Sequence, residues 1–265
     1  MNRLTERFAQ LKDEGRAGLV TYVTAGDPDL AGSRAILLAL AEAGADVLEV
    51  GVPFSDPIAD GPVIQRAVER ALASGTTLDD VLRLVGEVRT STSVPIVLFT
   101  YVNPVVRMGV TTFVDRAADA GVDGVLLLDL PIEEAGQMRE ALERRDIATI
   151  FLISPTTTPE RIRKAAEWGR GFLYAISRLG VTGAQATVAG TARPVVDRIR
   201  RETSMPVALG FGVSRAEHVK EIGAYADAVV VGSALVQAIA DAPNGEEASV
   251  AAAFIRQLRG GDGAA

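Results

Sequence analysis

Glu49-Val50-Gly51-Val52-Pro53-Phe54-Ser55-Asp56-Pro57-Ile58-Ala59-Asp60-Gly61 sets one carboxylate inside an apolar strand and others in the loop that follows it. Side chains alternate along a strand, so Leu48, Val50 and Val52 share one face, while Val47, Glu49 and Gly51 share the other. A strand in a parallel sheet is covered on both faces, which desolvates Glu49 and raises its pKa. Such a carboxyl can give and take a proton near neutral pH. A lone glutamate in a strand also reads as an ion-pair partner, and Asp56 or Asp60 alone reads as a turn residue. Glu49 in the strand, with Asp60 in the loop after that same strand, is what points to acid–base chemistry.

Outward from this stretch, short apolar, β-rich runs recur with amphipathic segments between them, the mark of repeated βα units. Strands are expected at 19–24, 47–51, 95–100, 124–128, 149–153, 172–176, 206–209 and 228–231. Helices are expected at 31–43, 63–73, 78–89, 111–120, 132–145, 159–167, 193–202, 215–222 and 233–240, and 246–258 can pack as a final one. Asn2 is a usable N-cap for an extra helix, 2–14, that would close one end of the sheet. The fold class is α/β. The architecture expected is a single (β/α)8 TIM barrel over residues 1–265, with that additional N-terminal helix. An open doubly wound sheet is the rival. The barrel is favoured because the unusual residues fall in the loops after strands, where barrels place their active sites.

Composition narrows the function. The 265 residues carry a formal charge of −7 without a cluster of Lys and Arg, which disfavours a nucleic-acid backbone as partner. There is no cysteine, hence no disulfide, thiolate metal site or cysteine nucleophile. No apolar run reaches the roughly 20 residues that span a bilayer, and the first residues lack a signal peptide's apolar segment. A cytoplasmic location is expected.

Gly210-Phe211-Gly212-Val213-Ser214 follows the expected seventh strand, and Gly232-Ser233-Ala234 follows the eighth and opens a helix. Glycine lets backbone N–H groups approach an anion, and a helix N-terminus adds aligned donors. Either loop alone reads as a tight turn; two in succession point to the phosphate site that barrels build there. Ser177-Arg178-Leu179-Gly180-Val181-Thr182-Gly183 is a further glycine-punctuated loop that could order over a substrate or be idle.

Aldol cleavage is one reaction open to paired carboxylates and a phosphorylated substrate, and it usually needs a Schiff-base lysine or a metal as electron sink. Lys12, Lys164 and Lys220 all fall on expected helices, and the one histidine, His218, is read as a surface helix residue. A substrate that accepts the electrons itself, such as an indole protonated at C3, removes the need. That chemistry wants a buried acid over C3, a carboxylate accepting the ring N–H, and apolar walls. Glu49 and Asp60 offer the first two.

These residues resemble the α-subunit family of tryptophan synthase. The run 48–61 is similar to the family signature throughout. Tyr22-Val23-Thr24-Ala25-Gly26-Asp27-Pro28, Tyr101-Val102-Asn103-Pro104, Gly180-Val181-Thr182-Gly183 and Gly210-Phe211-Gly212 match in order. The resemblance implies cleavage of indole-3-glycerol phosphate to indole and glyceraldehyde 3-phosphate, with Glu49 as acid–base group and Asp60 steadying charge on the indole nitrogen. It implies that Gly183, Gly212, Gly232 and Ser233, with the backbone of Phe211, hold the phosphate. Tyr22, Ile64, Phe99, Leu126, Ile153, Tyr174 and Phe211 would wall the indole, and Thr182 would reach Asp60 from a closed lid. It further implies no cofactor or metal in this subunit, and a partner, the pyridoxal-phosphate (PLP) β subunit of tryptophan synthase, in an α2β2 assembly that receives the indole through a tunnel. Pro53 and Asp56 would face that partner, while Met108 stands where an aromatic is expected. Two alternatives stay open: a stand-alone lyase, and a non-catalytic phosphate-binding barrel that activates a partner.

Overall fold

Alternation along the strands sorts the apolar residues into two layers, and the computed structural model, which describes residues 2–176, 189–210 and 212–260, shows both. The strands are β1 (Gly18–Thr24), β2 (Val47–Gly51), β3 (Ile96–Thr100), β4 (Gly124–Leu127), β5 (Ala148–Ile150), β6 (Leu152–Ile153), β7 (Leu173–Ile176), β8 (Val207–Gly210) and β9 (Ala228–Val231). Every pairing is parallel, in the order β5-β4-β3-β2-β1-β9-β8-β7-β6. The two ends of that order are consecutive in the chain. β5 pairs with β4, β6 pairs with β7, and Phe151 alone separates them, its carbonyl accepting the Tyr174 N–H at 3.0 Å. The expected single strand 149–153 is thus one barrel stave that changes partner at Phe151, and the cylinder closes with eight staves. The barrel expectation holds, and the open sheet does not.

Outward residues such as Leu48, Val50, Leu98 and Val229 pack with the helices in a large outer core. Inward residues Val20, Val47, Val97, Ile150 and Ala228 fill the cylinder together with Leu4, Phe8 and Leu11 of the first helix, Arg3–Asp13. This helix closes the floor as expected. The Asn2 side chain accepts from the Leu4 N–H and donates to the carbonyls of Asp123 (2.9 Å) and Asp146 (2.6 Å), residues that precede β4 and β5. Two glycines make room for it: a Cβ on Gly18 or Gly171 would stand 2.6 Å from a methyl of Leu11 or Leu4.

The floor is laced by one device used three times. Asp46, Asp123 and Asp227 each stand just before a strand and accept an N–H at the start of a neighbouring strand: Leu19 at 2.7 Å, Ile96 at 2.8 Å and Val207 at 2.7 Å. Arginines neutralise these carboxylates, Arg89 and Arg3 on buried Asp123, three together on buried Asp46, and Arg200 on the partly exposed Asp227. That stability sits at the amino ends of the strands leaves the carboxyl ends free for loops with other work.

Two helical expectations needed adjustment. The segment 132–145 forms a 3-10 turn, Ile132–Glu134, and then a helix, Gly136–Arg144. An unexpected seven-residue helix, Val102–Met108, follows β3, its Val102 N–H received by Asp129 at 2.8 Å. Pro104 lies in its first turn, where no N–H is missed. Asn2→Ala removes a helix cap and strips two buried carbonyls of their donor, so it should destabilise the fold by roughly 2 kcal/mol in urea denaturation at unchanged m-value.

Candidate active site

Register carries Glu49 into the cylinder. It pairs across to Tyr22 on β1 and Val97 on β3, both inward positions. Glu49 is 0% exposed, and neither carboxylate oxygen has a hydrogen-bond partner among the described residues. Burial alone pushes its pKa up to about 8. An isolated buried carboxylate is costly, so the group stays protonated at neutral pH.

Asp60 ends the loop after β2, just before the helix Pro62–Ala73, and is 5% exposed. The Tyr101 hydroxyl donates to its Oδ2 at 3.2 Å and accepts the Ala59 N–H at 3.1 Å, fixing the loop to the end of β3. Gln65 Nε2 donates to the Asp60 carbonyl at 2.8 Å. Burial raises the Asp60 pKa to about 6 and the Tyr101 bond opposes that rise. The Tyr101 ring in turn packs on Phe54 with centroids 5.2 Å apart. Sequence reasoning quoted Tyr101 within a motif but gave it no role; no local pattern marks a tyrosine whose partner is forty-one residues away.

An aromatic column joins floor to mouth. Phe8 meets Phe172 at 5.2 Å, Phe172 meets Tyr174 at 6.4 Å, Tyr174 meets Phe99 at 6.5 Å, and Phe99 meets Tyr22 edge-on at 5.2 Å. Burial first, and then the charges of both Glu49 and Asp60, raise the pKa values of Tyr22 and Tyr174, so the two carboxyls and two rings share one neighbourhood. Gly51 and Gly210 are glycines because these rings lie over them: an added Cβ would stand 2.2 Å from the Tyr22 hydroxyl and 3.1 Å from the Tyr174 ring. Ile64 packs beside Tyr22 from the helix that follows Asp60.

The remaining expected residues divide. Leu126 is inward but fully buried below the rings, while Leu128, packed on the same interior cluster, keeps partial exposure. Ile153 is misplaced by one position: it lies in the outer core, and Leu152, in register with Tyr174, takes the interior. The partner change at Phe151 shifted the parity that sequence alternation could follow. Gly212 has φ +38°, and Gly232 caps the helix Ser233–Ala240 at the end of β9, a strand paired to both β8 and β1. The two glycine turns are therefore neighbours beside Tyr22, whose Cβ lies 3.8 Å from where a Gly232 Cβ would stand. Thr182, Gly183 and Phe211 lie outside the described residues.

The lysines sit where expected, on the helices Arg3–Asp13, Pro159–Trp168 and Ala216–Gly223. His218 corrects its reading as a surface residue: it is 4% exposed, with Nδ1 3.4 Å from the Ser214 N–H and Nε2 3.2 Å from the Arg215 guanidinium. Its helix carries it inward after the glycine turn. Asp56 is exposed and bonded to the Ser55 hydroxyl at 2.6 Å. Ile58 (81% exposed) and Val106 are exposed apolar side chains on the two segments that carry Asp60 and follow Tyr101. Met108 is partly buried against the outer core.

A closed parallel barrel with an acid buried beside aromatic walls, a second carboxyl at the same mouth and paired glycine turns after its last strands defines an acid–base barrel enzyme. The family model for the tryptophan synthase alpha chain matches residues 8–259. A tryptophan synthase alpha chain of Geobacter sulfurreducens is 48% identical over 98% of both chains, and one of Geotalea daltonii is 50% identical over 89% of this chain and 90% of its own. Among solved structures, a Mycobacterium tuberculosis tryptophan synthase chain superposes with TM-score 0.91 at 39% identity, covering 100% of this chain and 99% of that one. The chain belongs to the tryptophan synthase alpha chain family. An alpha chain works beside a beta chain, and among the described residues no helix is long and apolar enough to cross a membrane.

Two outcomes follow from the site's electrostatics. Folded Glu49 holds its proton up to about pH 8, whereas the unfolded chain releases it near 4.5. The native state therefore binds more protons across that window, and stability falls as pH rises through it. Glu49→Gln should flatten this fall, gaining stability over the parent chain between pH 5 and 8 in urea titrations. Tyr101→Phe removes the bond that opposes burial, so the Asp60 pKa, read by carbon-13 NMR of the carboxyl, should rise.

Proposed function

We propose that Glu49 and Asp60 divide the cleavage of indole-3-glycerol phosphate between them, with the whole chain, 1–265, acting as one catalytic domain in tryptophan biosynthesis. The observation that carries this reading is the Glu49 carboxyl, buried without a hydrogen-bond partner among the described residues and standing in register with Tyr22. Between about pH 6 and 8 the pair holds one proton, on Glu49, while Asp60 is ionised. Glu49 then protonates the indole ring at C3. The positive charge that spreads to the ring nitrogen is steadied by Asp60 accepting the N–H. The bond from C3 to the side chain breaks, its electron pair returns to the ring, and the adjacent hydroxyl yields its proton to the Glu49 carboxylate as the aldehyde forms. Atoms and charge balance, and the acid is restored.

Tyr22, Phe99, Tyr174, Ile64 and Leu152 supply apolar walls that keep water from the protonated ring, with the partly exposed Leu128 beside them; Phe211 joins these walls on the family resemblance alone. The backbone about Gly212, Gly232 and Ser233, joined by Gly183, holds the phosphate and so sets which ring carbon meets Glu49. Thr182 acts as the lid residue toward Asp60. The chemistry draws on no cofactor in this subunit. A PLP-dependent beta subunit consumes the indole in an α2β2 assembly, in the cytoplasm. Exposed Ile58, Val106 and Asp56 belong to the surface that meets it, whereas Pro53 is buried and can act only from beneath that surface. Partner docking would then act on Asp60 through its own loop and through the Phe54 and Tyr101 rings.

Glu49→Gln should lower indole release by roughly 10²-fold or more while binding of glycerol 3-phosphate stays within a factor of two or so. Turnover at the parent rate in a correctly folded variant would refute the assignment.

A further inference from the structure

On the barrel floor, opposite the mouth, lies a cavity of about 500 Å3 lined by Arg3, Arg7, Arg16 and Arg259, with Gln10 between them and Glu6 and Asp46 as the carboxylates. In a chain of net charge −7 this concentration of guanidinium groups is out of character.

Its other two floor aspartates show what structure alone requires. Asp227 is served by Arg200 and Asp123 by Arg89 and Arg3. Asp46, 1% exposed, gathers Arg7, Arg16 at 3.0 Å and Arg259 at 2.5 Å, besides the Leu19 N–H. These donors fill both of its oxygens. Glu14 at the edge is engaged by Arg16 at 2.6 Å. Donors remain over: among the described residues Arg259 Nε and Nη1, Arg3 Nη1 and Gln10 Nε2 make no hydrogen bond, while Arg259 Nη2 is spent on the Gly44 carbonyl and Asp46. The lining is rich in charged donors, and among its carboxylates only the exposed Glu6 is without a bond to a described residue.

We propose that this cavity binds a small multivalent oxyanion of the pyrophosphate or tricarboxylate kind. Planar guanidinium forks match such oxygens in pairs, and a group with several negative charges can engage Arg3 and Arg259 at once. It would tie the first helix to the end of the last one, Glu247–Leu258, and stabilise the folded chain by mass action. Indole release at the far face is unaffected.

Titration calorimetry of the full chain with pyrophosphate tests this, with unfolding midpoints followed in parallel. One site is expected that Arg3→Gln and Arg259→Gln each weaken about tenfold, the effect of one charge-assisted contact. Pyrophosphate captured by the catalytic phosphate turns would be distinguished by its indifference to both variants. Should Arg259→Gln unseat the last helix, Arg3→Gln, which makes no contact with Asp46, still decides. No binding, or binding that a folded Arg3→Gln variant keeps at parent affinity, overturns the proposal.

Discussion

A carboxyl group held in an apolar barrel, without a hydrogen-bond partner among the described residues, is the constraint from which the rest of this molecule follows. Strand pairing on both sides of β2 fixes the Glu49 backbone with its side chain directed into the barrel, where it is 0% exposed. The cost of burying it is met by keeping its proton, which makes it an acid at the pH where ordinary glutamates are bases. Everything near it preserves that state. Aromatic rings replace water, Gly51 and Gly210 yield space to those rings, and the other carboxyl, Asp60, is tethered to Tyr101 rather than to Glu49.

The two ends of the barrel are built on opposite principles. At the floor, aspartates, two of them buried, are paired with arginines and strand N–H groups, and the Asn2 amide ties the first helix down. At the mouth, polar groups are left with capacity to spare. Buried groups whose bonds are all satisfied make a rigid base; a group left unsatisfied holds chemical potential for a substrate to use. The floor cavity is the exception, since its arginines exceed what Asp46 can accept, and for that reason it carries its own proposal.

Much of the site could be read from local pattern because it is local. Glu49 inward, Asp60 just after the strand and the glycine turns before Ser233 all follow from alternation and turn chemistry within a few residues. The errors have non-local causes. Ile153 was assigned to the wall because sequence shows no break at Phe151, where the stave changes neighbours to close the barrel. His218 was read as exposed because a helix of eight residues has too little pattern to reveal that its face turns toward Ser214. Tyr101 was passed over because its role depends on a loop in a different βα unit.

By itself the sequence determined the succession of strands and helices, which strand carries the acid, and which loops make glycine turns after the last strands, since each depends on side-chain period and backbone freedom over short spans. Tertiary structure alone decided the protonation of Glu49, the tether of Asp60, the single-residue closure at Phe151 and the gathering of four arginines on the floor. These depend on what stands across space from each group, and desolvation and Coulomb interactions act along distances that chain order does not record.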